Sequence, residues 1–145
     1  KKGINLAKYN AKIQHIRNRV KFLNSDIDNF CRDKYDLIVS NPPYIKCFAI
    51  NELDKDIKNY EPKVALNGGV DGYSKIRLII KKSSILLKRK GKLILEVGLG
   101  QTREVKKVLK LNGFYINRTT KDLAGINRCI LSTKIWSNKI NNEKF

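Results

Sequence analysis

Methionine is absent from these 145 residues, and histidine and tryptophan occur once each. With His15 alone, chemistry built on paired imidazoles is excluded. His15 lies at the end of a Lys/Arg-rich helical stretch with no acidic or thiol partner nearby, and reads as a solvated surface residue. Cys31, Cys47 and Cys129 are odd in number, scattered and without a C-x-x-C pair. Neither a zinc site nor a disulfide framework is expected; reduced thiols of a cytoplasmic protein are. No apolar run approaches the ~20 residues of a membrane helix, and no apolar signal core opens the chain. The start at Lys1-Lys2-Gly3 carries no initiator methionine, so the sequence is expected to be a piece of something longer.

Acidic residues are the scarce charge: 13 against 31 Lys and Arg, a formal net charge of +18. Such a balance favours anionic partners, a ribosome or a nucleic acid among them. The excess of Lys, Asn and Ile also follows from a biased base composition, which halves the weight of that argument. The length suits one domain with a single core.

Leu6, Tyr9, Ile13 and Ile16 recur at helical spacing. Val20 to Leu23 reads as a short strand ended by Asn24-Ser25-Asp26. Tyr35 to Ser40 is apolar on both faces at its centre, the pattern of a buried parallel strand. The polar stretch from Lys46 to Asp71 is long enough to be a functional loop; its acidic residues Glu52, Asp54 and Asp56 read as a solvated face. Ile76, Ile79, Ile80, Ser83 and Leu87 predict a helix closed by Lys90-Gly91. Lys92 to Val97 is another buried strand, and Glu104 to Leu109 a helix ending at Asn112-Gly113. Phe114 to Asn117 and Arg128 to Thr133 are two strands with no helix between them. The expected domain spans residues 1–133; residues 134–145 form a polar tail whose start Trp136 pins. The early alternation predicts an α/β fold, a Rossmann-like sheet, mostly parallel, with an antiparallel strand pair at its C-terminal edge. In open sheets of this kind ligands bind at the carboxyl ends of strands, where Asp26, Asn41 and Glu96 fall.

Two of the three prolines are adjacent, in Asn41-Pro42-Pro43-Tyr44. Successive prolines cannot continue a central strand, so an exposed loop begins at the carboxyl end of Tyr35–Ser40. The tetrapeptide suits methylation of a planar nitrogen. Such a nitrogen is a poor nucleophile because its lone pair is delocalised. Accepting hydrogen bonds from both its N–H groups holds it in line and favours rehybridisation. The Asn41 side-chain oxygen and the Pro42 carbonyl are suitable acceptors, the prolines fix the backbone, and Tyr44 can lie against the flat face of the group.

Tyr35-Asp36-Leu37-Ile38-Val39-Ser40-Asn41-Pro42-Pro43-Tyr44-Ile45 resembles the signature of the HemK/PrmC-type release-factor glutamine N5-methyltransferases, a class I family using S-adenosyl-L-methionine. The likeness extends to Asn10-Ala11, Arg19-Val20-Lys21-Phe22 and Ser25-Asp26 before the motif. After it come Tyr60-Glu61-Pro62, Ala65-Leu66, Gly68-Gly69, Asp71-Gly72, Leu95-Glu96-Val97-Gly98 with Gln101, and Asp122-Leu123-Ala124-Gly125 with Arg128. The resemblance implies that Asn41, Pro42, Pro43 and Tyr44 hold the glutamine amide of the Gly-Gly-Gln loop of a peptide chain release factor. It also implies that Asp26 and Ile27 lie beside the cofactor's adenosine, with Asn41 bordering the cofactor. No metal is implied. The family's glycine-rich cofactor loop, its ribose-binding acid and an N-terminal helical domain would precede Lys1, so the first part of the fold is expected to be missing.

An alternative rests on Leu93 to Thr102, which has the form of a strand, a Gly-x-Gly turn and a helix start. As a cofactor loop it would give the permuted order of some DNA adenine N6-methyltransferases, and a DNA or RNA base as the flipped-out substrate. A permuted enzyme needs further parallel strands after that loop, whereas this chain ends in two strands joined by Thr119 to Asn127. Tyr60 to Gly72 also matches the glutamine enzymes. The first reading is therefore preferred, and Glu96-Val97-Gly98 is read as a strand end and turn. A third class is a non-enzymatic remnant that keeps the fold's surface and lacks cofactor affinity.

Overall fold

The computed structural model describes residues 2–54, 56 and 61–136. The chain divides into two compact units, residues 1–30 and 31–145.

In the first unit, helix α1 spans Lys2–Ile13. It stops three residues short of Ile16: His15 takes a positive φ of 55° and its N–H bonds the Lys12 carbonyl, a turn that closes the helix. Leu6, Tyr9 and Ile13 share one face, as their spacing predicts, and all three are exposed. A 3-10 turn follows at Arg17–Arg19. Val20 to Leu23 is not a strand. A strand exists through ladder bonds to a neighbour, and among the described residues of this unit there is none. Asp26 therefore does not sit at a strand end; its carboxylate instead caps the 3-10 turn Ile27–Asn29, accepting from the Asp28 N–H at 3.4 Å.

The second unit is built on a four-stranded sheet in the order β1-β2-β4-β3. Strands β1 (Tyr35–Ser40) and β2 (Leu87–Glu96) are parallel. Strands β3 (Phe114–Lys121) and β4 (Asn127–Lys134) form the antiparallel C-terminal pair, and β4 lies antiparallel to β2. Both run longer than their apolar centres suggested, because the Asp122–Ile126 turn keeps the ladder closed to its tip: the Asp122 N–H bonds the Ile126 carbonyl at 2.8 Å. The crossover from β1 to β2 carries a 3-10 helix at Cys47–Glu52, a single turn α2 (Lys63–Leu66) and helix α3 (Ser74–Leu86). The long polar stretch is thus not plain loop, and Tyr60 lies outside the described residues. Helix α4 (Thr102–Leu111) joins β2 to β3.

The core follows the two periods of the sequence. Helix α3 buries Ile76 and Ile80, α4 buries Val105 and Leu109, and β2 buries Leu93 and Leu95 on alternate positions. With Leu87, Val97, Phe114 and Ile130 they form one apolar cluster, each large side chain contributing about 1.5–3 kcal/mol relative to exposure. Helix α3 ends at Leu86 rather than at Lys90-Gly91. Leu87 already pairs with Tyr35, and the turn signal appears as a bulge within β2: pairing jumps from Leu87 to Lys92, with Lys90 at φ 65°. Lys134, expected to open a frayed tail, ends β4 and is buried, its ammonium donating to the Leu87 carbonyl at 2.8 Å. Trp136 packs on Gly113, where a Cβ would come within 2.9 Å of the indole. Residues 137–145 lie outside the described part.

Candidate active-site loop

Strand β1 delivers Asn41 to the carboxyl end of the sheet, and the two prolines end the ladder there. Asn41 is exposed, Pro42 is buried, and Pro43 and Tyr44 are half-buried. The chain beyond Tyr44 is tied to the segment that precedes α3. The Ile45 N–H donates to the Leu66 carbonyl at 3.1 Å, the Gly68 N–H to the Ile45 carbonyl at 2.8 Å, and the Cys47 N–H to the Gly69 carbonyl at 3.0 Å. An isolated parallel bridge between Ile45 and Asn67 results.

Close approach explains the glycines there. A Cβ at Gly68 would lie 2.8 Å from the Tyr44 Cα and carbonyl carbon. At Gly72, whose φ is +77°, a Cβ would lie 2.6 Å from the Tyr44 carbonyl oxygen. From the β2–α4 turn, a Cβ at Gly98 would lie 2.9 Å from the Tyr44 ring. Only glycine fits such contacts without displacing the loop.

Tyr44 is held at its other end by β2. Its hydroxyl donates to Glu96 Oε1 at 3.3 Å. Burial and then the neighbouring Glu96 carboxylate push the phenol above its usual value, against an opposing pull from Arg128. Burial and Glu96 push the Cys129 thiol up as well. Arg128 pairs with Asp122 at 3.0 Å. The Ile126 N–H and then the Arg128 guanidinium hold the Asp122 carboxyl below the usual range.

Asp71 accepts from the Tyr73 N–H at 2.9 Å and pairs with Arg77, fixing the start of α3. Glu52, Asp54 and Asp56 are exposed, as a solvated face requires. The sequence alone assigns Gln101 no role; in the structure its side chain contacts both the motif loop and Gly72. The available signal was its place between a Gly-x-Gly turn and a helix, where a serine, threonine or aspartate cap is the usual residue.

Asn41, Pro42, Pro43 and Tyr44 thus lie together with Glu96, Gly72 and Gln101 in the second unit. Asp26 and Ile27 belong to the first, where Leu23, Ser25, Ile27 and Phe30 line a shallow, mainly apolar hollow.

A mixed sheet with an Asn-Pro-Pro-Tyr loop at the carboxyl ends of its parallel strands has the architecture of a Rossmann-like class I methyltransferase domain. The likeness of fold is seen in TrmN from Thermus thermophilus, with a TM-score of 0.57 at 17% identity over 92% of this chain and 34% of that one. The chain belongs to the Eco57I restriction-modification methylase family, whose model matches residues 1–98. It is 39% identical over 134 residues to a release factor glutamine methyltransferase of Thermodesulfovibrio yellowstonii, covering 92% of this chain and 48% of that protein. A protein of the same name from Clostridium botulinum is 40% identical over 133 residues, 90% of this chain and 47% of that protein. A bifunctional methyltransferase of Rickettsia felis is 36% identical over 138 residues, 94% of this chain and 26% of that protein. The resemblance to release-factor glutamine methyltransferases read from the motifs is borne out by these relatives. The chain spans about half the length of the two glutamine methyltransferases. Among the described residues no helix is long and apolar enough to cross a membrane.

Proposed function

We propose that this chain supplies the methyl-acceptor side of an S-adenosyl-L-methionine-dependent N-methyltransferase acting on the glutamine side-chain amide of the Gly-Gly-Gln loop of peptide chain release factors. The observation that carries the reading is the Asn41–Tyr44 loop, held rigidly at the carboxyl end of β1 with Tyr44 tied to the end of β2. The names of relatives similar over nine-tenths of the chain support it.

Asn41 Oδ1 and the Pro42 carbonyl would accept hydrogen bonds from the two N–H groups of the glutamine amide, placing its nitrogen for in-line attack. Tyr44 would lie against the flat face of the amide, its ring steered by the bond to Glu96. When bound, the sulfonium cofactor supplies an electrophilic methyl group, so the protein need form no covalent intermediate. The apolar hollow lined by Leu23, Ser25, Ile27 and Phe30 would take an adenine face, with Asp26, adjacent to Ile27 in sequence, as the polar residue that the resemblance implies. Separately, the resemblance assigns Asn41 a place bordering the cofactor. The catalytic portion would extend past residue 133, since Lys134 completes β4 and Ile135 bonds Gly113. The net charge of +18 would favour work near ribosomal RNA.

A base-methylating reading has one observation in its favour, the restriction-modification description of the matching family. Against it, the Gly98 N–H is already bonded to Gln101 Oε1 at 2.9 Å, so the Gly98–Gly100 turn does not offer that donor to a cofactor.

Two measurements test the proposal. Calorimetric titration with S-adenosyl-L-methionine reads cofactor binding without turnover. Labelled methyl groups should then appear on the release-factor glutamine; label on duplex DNA with none on the release factor would transfer the assignment to base methylation.

A further inference from the structure

The Gln101 carboxamide joins three segments that are remote in sequence. Its Oε1 accepts from the Gly98 N–H at 2.9 Å. Its Nε2 donates to the Tyr44 carbonyl at 3.2 Å and to the Gly72 carbonyl at 3.1 Å. The side chain is buried, 7% exposed. The amide cannot be turned over: a flip would set its NH2 against an N–H and its oxygen against two carbonyls, losing all three bonds. Gly72 and Gly98 leave room for the carboxamide itself. A Cβ at Gly72 would lie 3.1 Å from Nε2, and one at Gly98 2.9 Å from Oε1.

We propose that Gln101 is a positioning residue for methyl transfer, fixing the Tyr44 carbonyl and, through the two stiff proline linkages, the direction of the Pro42 carbonyl and the Asn41 side chain. The effect on turnover rests on the acceptor-loop reading above; the structural part does not. With φ fixed at Pro42 and Pro43, the tetrapeptide has few soft torsions. Anchoring Tyr44 at its carbonyl by Gln101 and at its hydroxyl by Glu96 leaves it little freedom. Misplacing a reacting group by about 1 Å costs on the order of 100-fold in rate.

Gln101→Met keeps the length and removes every hydrogen bond. Gln101→Glu keeps the shape but faces two carbonyls with a carboxylate, and regains a donor only when protonated. Both variants should lose about 100-fold in kcat, with S-adenosyl-L-methionine affinity changed less than twofold. The Gln101→Glu rate should recover as the pH is lowered through its carboxyl titration, whereas the wild-type rate should not rise. A role in folding alone predicts loss in proportion to the unfolded fraction and no such recovery; that result, or wild-type kcat in both variants, overturns the proposal. Should the wild-type protein place no label on the release factor, the glutamine reading fails separately. The amide resonances of the two proteins then decide. Asn41 and Tyr44 signals displaced by Gln101→Met uphold the positioning role, and unmoved signals overturn it.

Discussion

Replacing Gly72 by alanine measures what the clasp around Tyr44 contributes to stability. Gly72 has φ +77°, and a Cβ there would sit 2.6 Å from the Tyr44 carbonyl oxygen. The left-handed backbone alone costs an L-residue about 1–2 kcal/mol. Relieving the contact must move backbone, since the obstructing atom is a carbonyl oxygen. Moving it weakens the Gln101 bonds to Tyr44 and Gly72, each worth about 0.5–1.5 kcal/mol. The total is roughly 2–5 kcal/mol, or a fall in Tm of about 5–15 °C for a chain of this size. Gly125→Ala is the control. Its φ is +78°, nearly the same, but nothing lies within 4 Å of its Cβ, so it pays the backbone term alone. The entropy that alanine removes from the unfolded chain is common to both and cancels. Calorimetric melts of the two variants should therefore differ by the clasp contribution. Equal destabilisation would refute the claim that Gly72 is required by contact with Tyr44.

Asn41→Ala should abolish methyl transfer while shifting Tm by no more than a few degrees, because Asn41 is exposed; normal turnover by the variant would disprove the acceptor role. Asp122→Asn should flatten the acid limb of the stability curve. The folded-state carboxyl is held low by Ile126 and Arg128, so its contribution is present above the ordinary Asp value and fades as pH falls towards the lowered one; an unchanged acid limb in chemical denaturation would contradict it. Lys134→Met should remove a rise of stability at alkaline pH. Burial, and then Lys34, lower the ammonium's folded-state value, so the folded protein binds fewer protons and gains stability between that value and the ordinary one near ~10.4. Wild-type protein with no such rise would show that the ammonium is not held below its usual value.

Local pattern determined much of this protein. Tyr35–Ser40 reads as a strand from its apolar run, and Pro42-Pro43 must end it, because a missing N–H and a fixed φ are properties of the residue and not of its surroundings; its expected burial on both faces is not found, since β1 lies at the sheet edge with Leu37 and Val39 exposed. Helices α3 and α4 follow from the spacing of Ile76 and Ile80, and of Val105 and Leu109, since one face of a 3.6-residue period must be covered. The Asn41–Tyr44 loop was legible for the same reason: the proposed acceptor groups lie on four consecutive residues.

Pairing and closure belong to the tertiary structure. Val20 to Leu23 has strand composition and no strand, because the bonds that make one come from a neighbour. That β4 lies between β2 and β3, and that Lys90-Gly91 becomes a bulge rather than a helix stop, depends on which edges meet. Nor could spacing reveal that Gln101 binds Tyr44 and Gly72, 57 and 29 residues away. A carboxamide has no periodicity to betray its partners; the burial that makes its three bonds count arises only when the chain has closed around it.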